Sequence, residues 1–434
     1  MTRRLYLHVG SPKSGTTYLQ RVLEVNRGLL ADAGVLVVGG SQVDRIHAAM
    51  VVRDDPRLER LPARRRQAWQ RLVDQVRSWP GESAVLSYEL FSAASRPQAE
   101  KALADLAAIE GLEVHVVVTS RDLGLAVPSA WQERLKFGLR KRLEAWTPPP
   151  ESHQRSEWGW RTMDPAGVAR RWGSTLPPAQ VHVVTVPRAG GDPAELWHRF
   201  AEACALDDLA VELSVGRSNE SLGVVESELL RRVNGRLPEP LRSDNREQAV
   251  WLRDTLAHGI LAGLGDEQIG TPPAQLEQAG EVADRAREQI RAAGWAVHGD
   301  LDDLVASSRG TRLPGDVADA ELLDVSVEVI AALLAQLRER AVSGTADHPA
   351  DDDASGVRRT AGTLARRAVG ARVQRRDAAL RQRITALEAE VAAGRELHLR
   401  VAALQDVVTE LVLPRHRGGQ VTGRALRRYR RDAL

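Results

Sequence analysis

The chain has 434 residues, 60 basic against 58 acidic, a net charge of +2, and only four lysines among the basic residues. That length implies one large domain with an appendage, or two domains. The single cysteine, Cys204, excludes an intramolecular disulfide and a thiolate metal cluster and reads as a small core residue. No run reaches the roughly 18 apolar residues of a membrane span, and the sequence opens on a strand pattern rather than a signal peptide, so a cytoplasmic location is expected. The arginine and alanine skew points to a high-GC bacterial coding bias.

Leu5–Val9 is an apolar run with the character of a buried strand, and it leads into Gly10-Ser11-Pro12-Lys13-Ser14-Gly15-Thr16-Thr17 and then a helical period. A glycine-bearing turn at a helix start aims consecutive backbone N–H groups and the positive end of the helix at one point. This is an anion cradle, with Lys13 as its mobile cation. A Walker A loop places its lysine directly after the second glycine, whereas Lys13 comes two residues before Gly15.

Val35–Val38 and Ala84–Ser87 follow as strands, the second leading to Glu89. Among Leu86, Leu90 and Phe91 a carboxylate is partly desolvated, which raises its pKa and suits a proton acceptor. His47 is the rival base. Each has a plainer reading: Glu89 as a helix cap or a partner of Arg121, His47 as a half-buried structural group. The β-branched run Val114–Thr119 leads to Arg121, and Ser129 follows eight residues on. Pro128 suits the first turn of a helix, which would leave Ser129 a hydroxyl and a free backbone N–H for an anion.

Trp131, Trp146, Trp158, Trp160 and Trp172 precede the strand Val181–Val186, and they read either as a stacking wall or as core. The helical segments Gln98–Ile109 and Ala194–Cys204 lie between strands. Arg217, with Ser218 and Asn219, either closes over an anion or belongs to a helix cap. Val224 to about Arg340 is helical in period, with breaks at Gly265–Pro273 and Arg312–Pro314.

Strands alternating with helices predict an α/β fold with a parallel sheet over residues 1–340. Residues 341–357 have the acidic, small-residue composition of a linker. Residues 358–412 form a basic segment with nine arginines up to Arg383, followed by Ile384, Leu387, Val391, Leu397, Val401, Leu404, Val408 and Leu411 at coiled-coil spacing. Residues 413–434 are a basic tail. A homo-oligomer through the coiled coil is expected. The basic segments offer a peripheral contact with an acidic membrane surface, at the inner face, or a solvated arm. Nucleic acid is not expected, because aromatics interleaved with the charge are lacking beyond Tyr429.

The order Pro12-Lys13-Ser14-Gly15-Thr16-Thr17, followed by Arg121 and Ser129 after a later strand, closely resembles the donor-binding motifs of bacterial sulfotransferases that use 3′-phosphoadenosine 5′-phosphosulfate (PAPS). The resemblance spans the donor-binding parts of residues 1 to about 225. It implies a P-loop NTPase-like parallel sheet flanked by helices, with the helical and coiled-coil extension after it. Ser14, Gly15, Thr16 and Thr17 would hold the 5′-phosphate, and Lys13 would offset charge on the departing 3′-phosphoadenosine 5′-phosphate. Arg121 and Ser129 would hold the 3′-phosphate, with Arg217 closing over it, although the Arg-Lys-Gly triplet of the cytosolic members is missing. Glu89 follows a strand as the base does in several carbohydrate sulfotransferases. His47 corresponds in type, but not in context, to the histidine of small-molecule members. No metal is expected, and the acceptor would be a hydroxyl of a carbohydrate or glycolipid. The alternatives are a P-loop kinase using ATP and Mg, and a catalytically idle nucleotide-binding scaffold that oligomerises through its C-terminus.

Overall fold

The computed structural model describes residues 3–153, 157–188, 192, 194–215 and 221–345. Arg217, Ser218 and Asn219, the linker from residue 346, the basic segment, the coiled coil and the tail lie outside the described residues. The chain divides into compact units at Met1–Asp347 and His348–Leu434, and only the first is described below.

Its centre is a parallel sheet of β1 (Arg3–Gly10), β2 (Val35–Val37), β3 (Ser83–Ser87), β4 (Leu112–Ser120), β5 (Val181–Thr185) and β6 (Ala296–His298), in the order β2-β3-β1-β4-β5-β6. The fold is α/β, as expected. Alternate residues of β1 feed opposite faces: Leu5, Leu7 and Val9 pack with Leu86, Val116, Phe91 and Trp172, while Tyr6 packs with Val85, Val117, Phe200 and Cys204. Both faces are covered by helices, which is why the strands are near-continuously apolar. From β1 the chain builds outward to β2, returns through β3, crosses β1 to β4, and then builds the other way. Ligands of such sheets bind at the reversal, beyond the carboxyl ends of the strands, and here that is the edge formed by β3, β1 and β4.

All five expected strands are present. The sixth, β6, falls inside the stretch read as mostly helical in period, away from its expected breaks. It has three residues, none fully buried, so it carries too little apolar signal to stand out. The last helix, Asp319–Thr345, runs on through residues 341–345, which were expected as linker; its apolar period and Ala341 continue the helix. Among the described residues no helix is long and apolar enough to cross a membrane.

One row of rings crosses the sheet: Tyr6 lies 5.0 Å from His115, His115 Nδ1 is 2.9 Å from His182 Nε2, and His182 Nδ1 is 3.1 Å from His298 Nε2. Glu113 and Glu202 stand 3.2 and 3.3 Å from the two outer imidazoles. Burial, then the flanking imidazoles, lowers the His182 pKa to about 4, so this central imidazole is neutral at pH 7.

Candidate functional site

The loop after β1 owes its path to backbone that only special residues tolerate. Gly10 has φ +127°, and a Cβ there would sit 2.5 Å from the carbonyl oxygen of Glu89. This close approach sets the start of the loop against the turn that carries Glu89. Lys13 is itself left-handed at φ +62°, and Gly15, at φ +80°, precedes the helix Thr16–Val25. No side chain caps that helix and no acid occupies its first turn, so its leading N–H groups remain open to an anion.

Ser14 seats the loop. Its hydroxyl is 2.5 Å from both the Ser11 carbonyl and Thr119 Oγ1. Thr119 in turn meets His8 Nε2 at 3.0 Å, and His8 Nδ1 lies 2.7 Å from Ser87 Oγ. The Thr16 side chain is buried, whereas Thr17 is exposed and lines the adjoining cavity. Beside the loop the hydroxyls of Ser11 and Ser120 are buried without a partner.

That cavity, of about 730 Å³, is within the range of small-molecule sites. Glu89 lines it and accepts a hydrogen bond from Gln20 Nε2 at 2.9 Å. Burial raises the Glu89 pKa above the ordinary carboxylate value, and Gln20, Lys13 and Arg45 offset this only in part. Glu133 lines the same cavity and receives Lys13 Nζ at 3.1 Å and Lys136 Nζ at 2.9 Å. Burial pushes its carboxyl up, but the two ammonium groups outweigh it and hold the pKa at about 2. Two carboxylates on one cavity are thus driven apart in acidity, Glu89 towards a proton acceptor and Glu133 towards a permanent anion. Arg45 pairs with Glu24 at 2.6 Å and Arg53 with Glu157 at 2.8 Å, and Tyr88, Phe137 and Trp158 add aromatic wall.

A smaller pocket of about 120 Å³ is lined by Arg121, Ser129, Gln132 and Arg309, among others. Arg121 Nη1 donates to the Lys13 carbonyl at 3.3 Å, so the pocket adjoins the loop. Burial, and then the charge of Arg309, lowers the Arg121 pKa to about 10. Two guanidinium groups crowded together with a hydroxyl fit a dianion such as a phosphate monoester. The nearby Asp122 is spent elsewhere: it caps the helix Leu123–Leu135 through Gly124 and Leu125, and it accepts from the Ser307 backbone N–H and hydroxyl. Among the described residues no three His, Cys, Asp or Glu side chains converge as metal ligands.

The structure therefore brings Lys13, Ser14, Gly15, Thr17, Glu89, Arg121 and Ser129 to one edge of the sheet. It does not bring His47 there. His47 is absent from the cavity lining and faces Arg65, with Nδ1 3.3 Å from that guanidinium; burial and Arg65 lower its pKa. Ser129 differs from expectation in one respect. Pro128 lies inside the helix Leu123–Leu135 rather than in its first turn, so only the Ser129 hydroxyl is offered. The Gly124 carbonyl that Pro128 cannot serve accepts instead from the Thr271 hydroxyl at 2.8 Å. Of the five tryptophans, Trp131, Trp146, Trp160 and Trp172 are core, and Trp158 reaches the cavity.

Sequence reasoning missed Glu133 and Arg309. Glu133 sits one turn before Lys136 on a mostly apolar helix, a pattern that marks a buried ion pair. Arg309 lies in Ser307-Ser308-Arg309-Gly310, a small-residue loop that follows the unrecognised β6.

Residues 380–433 match the model of a family described as a domain of unknown function, DUF6752. No curated protein matches the sequence. Among solved structures the chain is similar to a sulfotransferase domain from the curacin biosynthetic pathway, at 14% identity and a TM-score of 0.29, over 50% of this chain and 79% of that one.

Proposed function

We propose that the protein is a sulfotransferase that carries a sulfuryl group from PAPS to a hydroxyl of a carbohydrate or glycolipid. The observation that carries this reading is the pair of anion sites joined by the Arg121–Lys13 contact: an uncapped helix start with a lysine, and a separate pocket with Arg121, Ser129 and Arg309. A nucleotide with phosphates at both its 5′ and 3′ positions needs two such sites, whereas the contiguous triphosphate of ATP needs one extended cradle. The commitment of Asp122, which follows Arg121 at the end of β4, to its helix cap and to Ser307 also removes that acid from magnesium binding.

In this reading Glu89 takes the proton of the acceptor hydroxyl, whose oxygen attacks sulfur. The bond between sulfur and the bridging oxygen of the donor breaks, and 3′-phosphoadenosine 5′-phosphate departs. Lys13 and the N–H groups of residues 14–17 offset the charge gained by the leaving phosphate. For the ammonium to do so, Lys13 must turn from Glu133 towards the donor. The cavity supports a polyhydroxylated acceptor, because paired Arg45–Glu24 and Arg53–Glu157 groups donate to and accept from hydroxyls while Trp158 offers a face for a sugar ring.

Calorimetric titration tests the reading. Binding of 3′-phosphoadenosine 5′-phosphate without metal, lost in Arg121→Ala, is the expected result. Preference for ATP with Mg would move the assignment to a kinase, and binding of neither would move it to a scaffold.

A further inference from the structure

Glu133 holds two ammonium groups where one would balance its charge. Lys13 Nζ and Lys136 Nζ both donate to its Oε1, at 3.1 and 2.9 Å. The two bonds differ in kind. Lys136 stands three residues after Glu133, at the end of the helix Leu123–Leu135, and its side chain is fully buried, so that pair is fixed within one element. Lys13 reaches the same oxygen from the loop after β1, 120 residues earlier in sequence, and its side chain is 24% exposed. Arg121 holds the Lys13 carbonyl, so the ammonium leaves Glu133 by turning on its flexible four-carbon stem rather than by moving the loop.

A buried carboxylate stripped of its counter-ion is strongly destabilised. With Lys13 as its one cationic partner, Glu133 would lock that ammonium in place. Lys136 removes the lock: when Lys13 departs, Glu133 and Lys136 remain as a neutral, hydrogen-bonded pair in the interior. We infer that Lys136 is a positioning residue for the transfer step, the counter-ion that stays with Glu133 and so releases the Lys13 ammonium to the departing phosphate. Lys136 lines neither the large cavity nor the Arg121 pocket, so it acts through Glu133 and Lys13 rather than on a ligand. The inference rests on the sulfotransferase reading and adds to it a residue that the donor-binding motifs do not contain.

Release of labelled sulfate from PAPS by the full chain tests this, with water as the acceptor. Water attacks sulfur, the bond to the bridging oxygen breaks, 3′-phosphoadenosine 5′-phosphate departs, and the protons of the water pass to Glu89 and to solvent. Lys136→Met leaves Glu133 with Lys13 alone, and the rate should fall about tenfold or more while calorimetric affinity for 3′-phosphoadenosine 5′-phosphate is kept. Adding Glu133→Gln to Lys136→Met removes the charge that holds Lys13 and should recover most of the lost rate. A packing role alone gives no such rescue, because the double variant lacks both buried partners. Lys136→Gln, which donates a hydrogen bond but carries no charge, should be as slow as Lys136→Met and replaces it if the apolar side chain does not fold. An undiminished rate in the single variants would overturn the proposal, as would a folded double variant without rescue. Unfolding of both single variants would assign Lys136 to the interior alone and overturn it too. No sulfate release and no binding of 3′-phosphoadenosine 5′-phosphate by the wild type would instead sink the sulfotransferase reading, and this inference with it.

Discussion

Arg121 donates through Nη1 to the backbone carbonyl of Lys13, at 3.3 Å, and so ties the pocket beyond β4 to the loop beyond β1. Arg121→Ala should lose both the ligand contact and this tie. Charge-assisted hydrogen bonds contribute about 1.5–3 kcal/mol each, so affinity for 3′-phosphoadenosine 5′-phosphate should fall roughly ten- to a hundredfold. Lys13→Ala should instead lower turnover about a hundredfold or more, as loss of a transition-state charge partner does. Calorimetry and steady-state rates on the two variants separate the effects; equal loss of binding in both would refute the division of roles.

Glu89 has a raised pKa because burial outweighs its contacts with Gln20, Lys13 and Arg45. A base must be ionised, so activity should rise with pH through a value above the ordinary carboxylate range. Glu89→Gln should remove that limb and cost about 10² to 10⁴ in rate while leaving donor binding in place. Full turnover in the variant would end the assignment.

Thr271 supports the helix that Pro128 interrupts. Thr271→Val keeps the shape but leaves the Gly124 carbonyl without its donor. The expected cost is about 1–3 kcal/mol of stability, measured by urea denaturation. An unchanged midpoint would mean that water replaces the hydroxyl.

Glu133 offers a second stability test. Lys136 is fully buried beside it, so Glu133→Gln weakens an ion pair in the interior, at a cost of about 3 kcal/mol. Its pKa is depressed, so its stabilisation is fully present above about 4.5 and fades as pH falls towards about 2. The wild-type protein should lose stability over that window more steeply than the variant. Parallel curves would refute the pairing.

The row of imidazoles predicts acid sensitivity at a higher pH. His182 is lowered to about 4, so its neutral form favours the fold above the unfolded value near 6.5, and this contribution falls away as pH drops from about 6.5 to 4. Thermal melts at pH 7 and pH 5 should show the decline, and His182→Phe, which cannot titrate, should reduce it.

Most of the sheet was legible because buried parallel strands are apolar on both faces, as Val114–Thr119 and Val181–Val186 are. β6 was not, since a short edge strand buries little. The donor loop was legible because its glycines and lysine act through the local chain. Glu133 and Arg309 were hidden for the opposite reason: their roles come from side chains far away in sequence, Lys13 for one and Arg121 for the other. His47 looked eligible in sequence, but the turn of its helix points it towards Arg65.

The floor beneath the donor loop consists of Ser14, Thr119, His8 and Ser87, and burial holds the His8 imidazole down at about 3. From pH 5 to 9 this support is electrically silent. Acidity can therefore serve as a selective dial: as pH rises through the raised pKa of Glu89, the change in rate reports on the acceptor side, while the His8 floor beneath the donor loop holds still. A pH series becomes a way to study half of the site at a time, without altering a single residue.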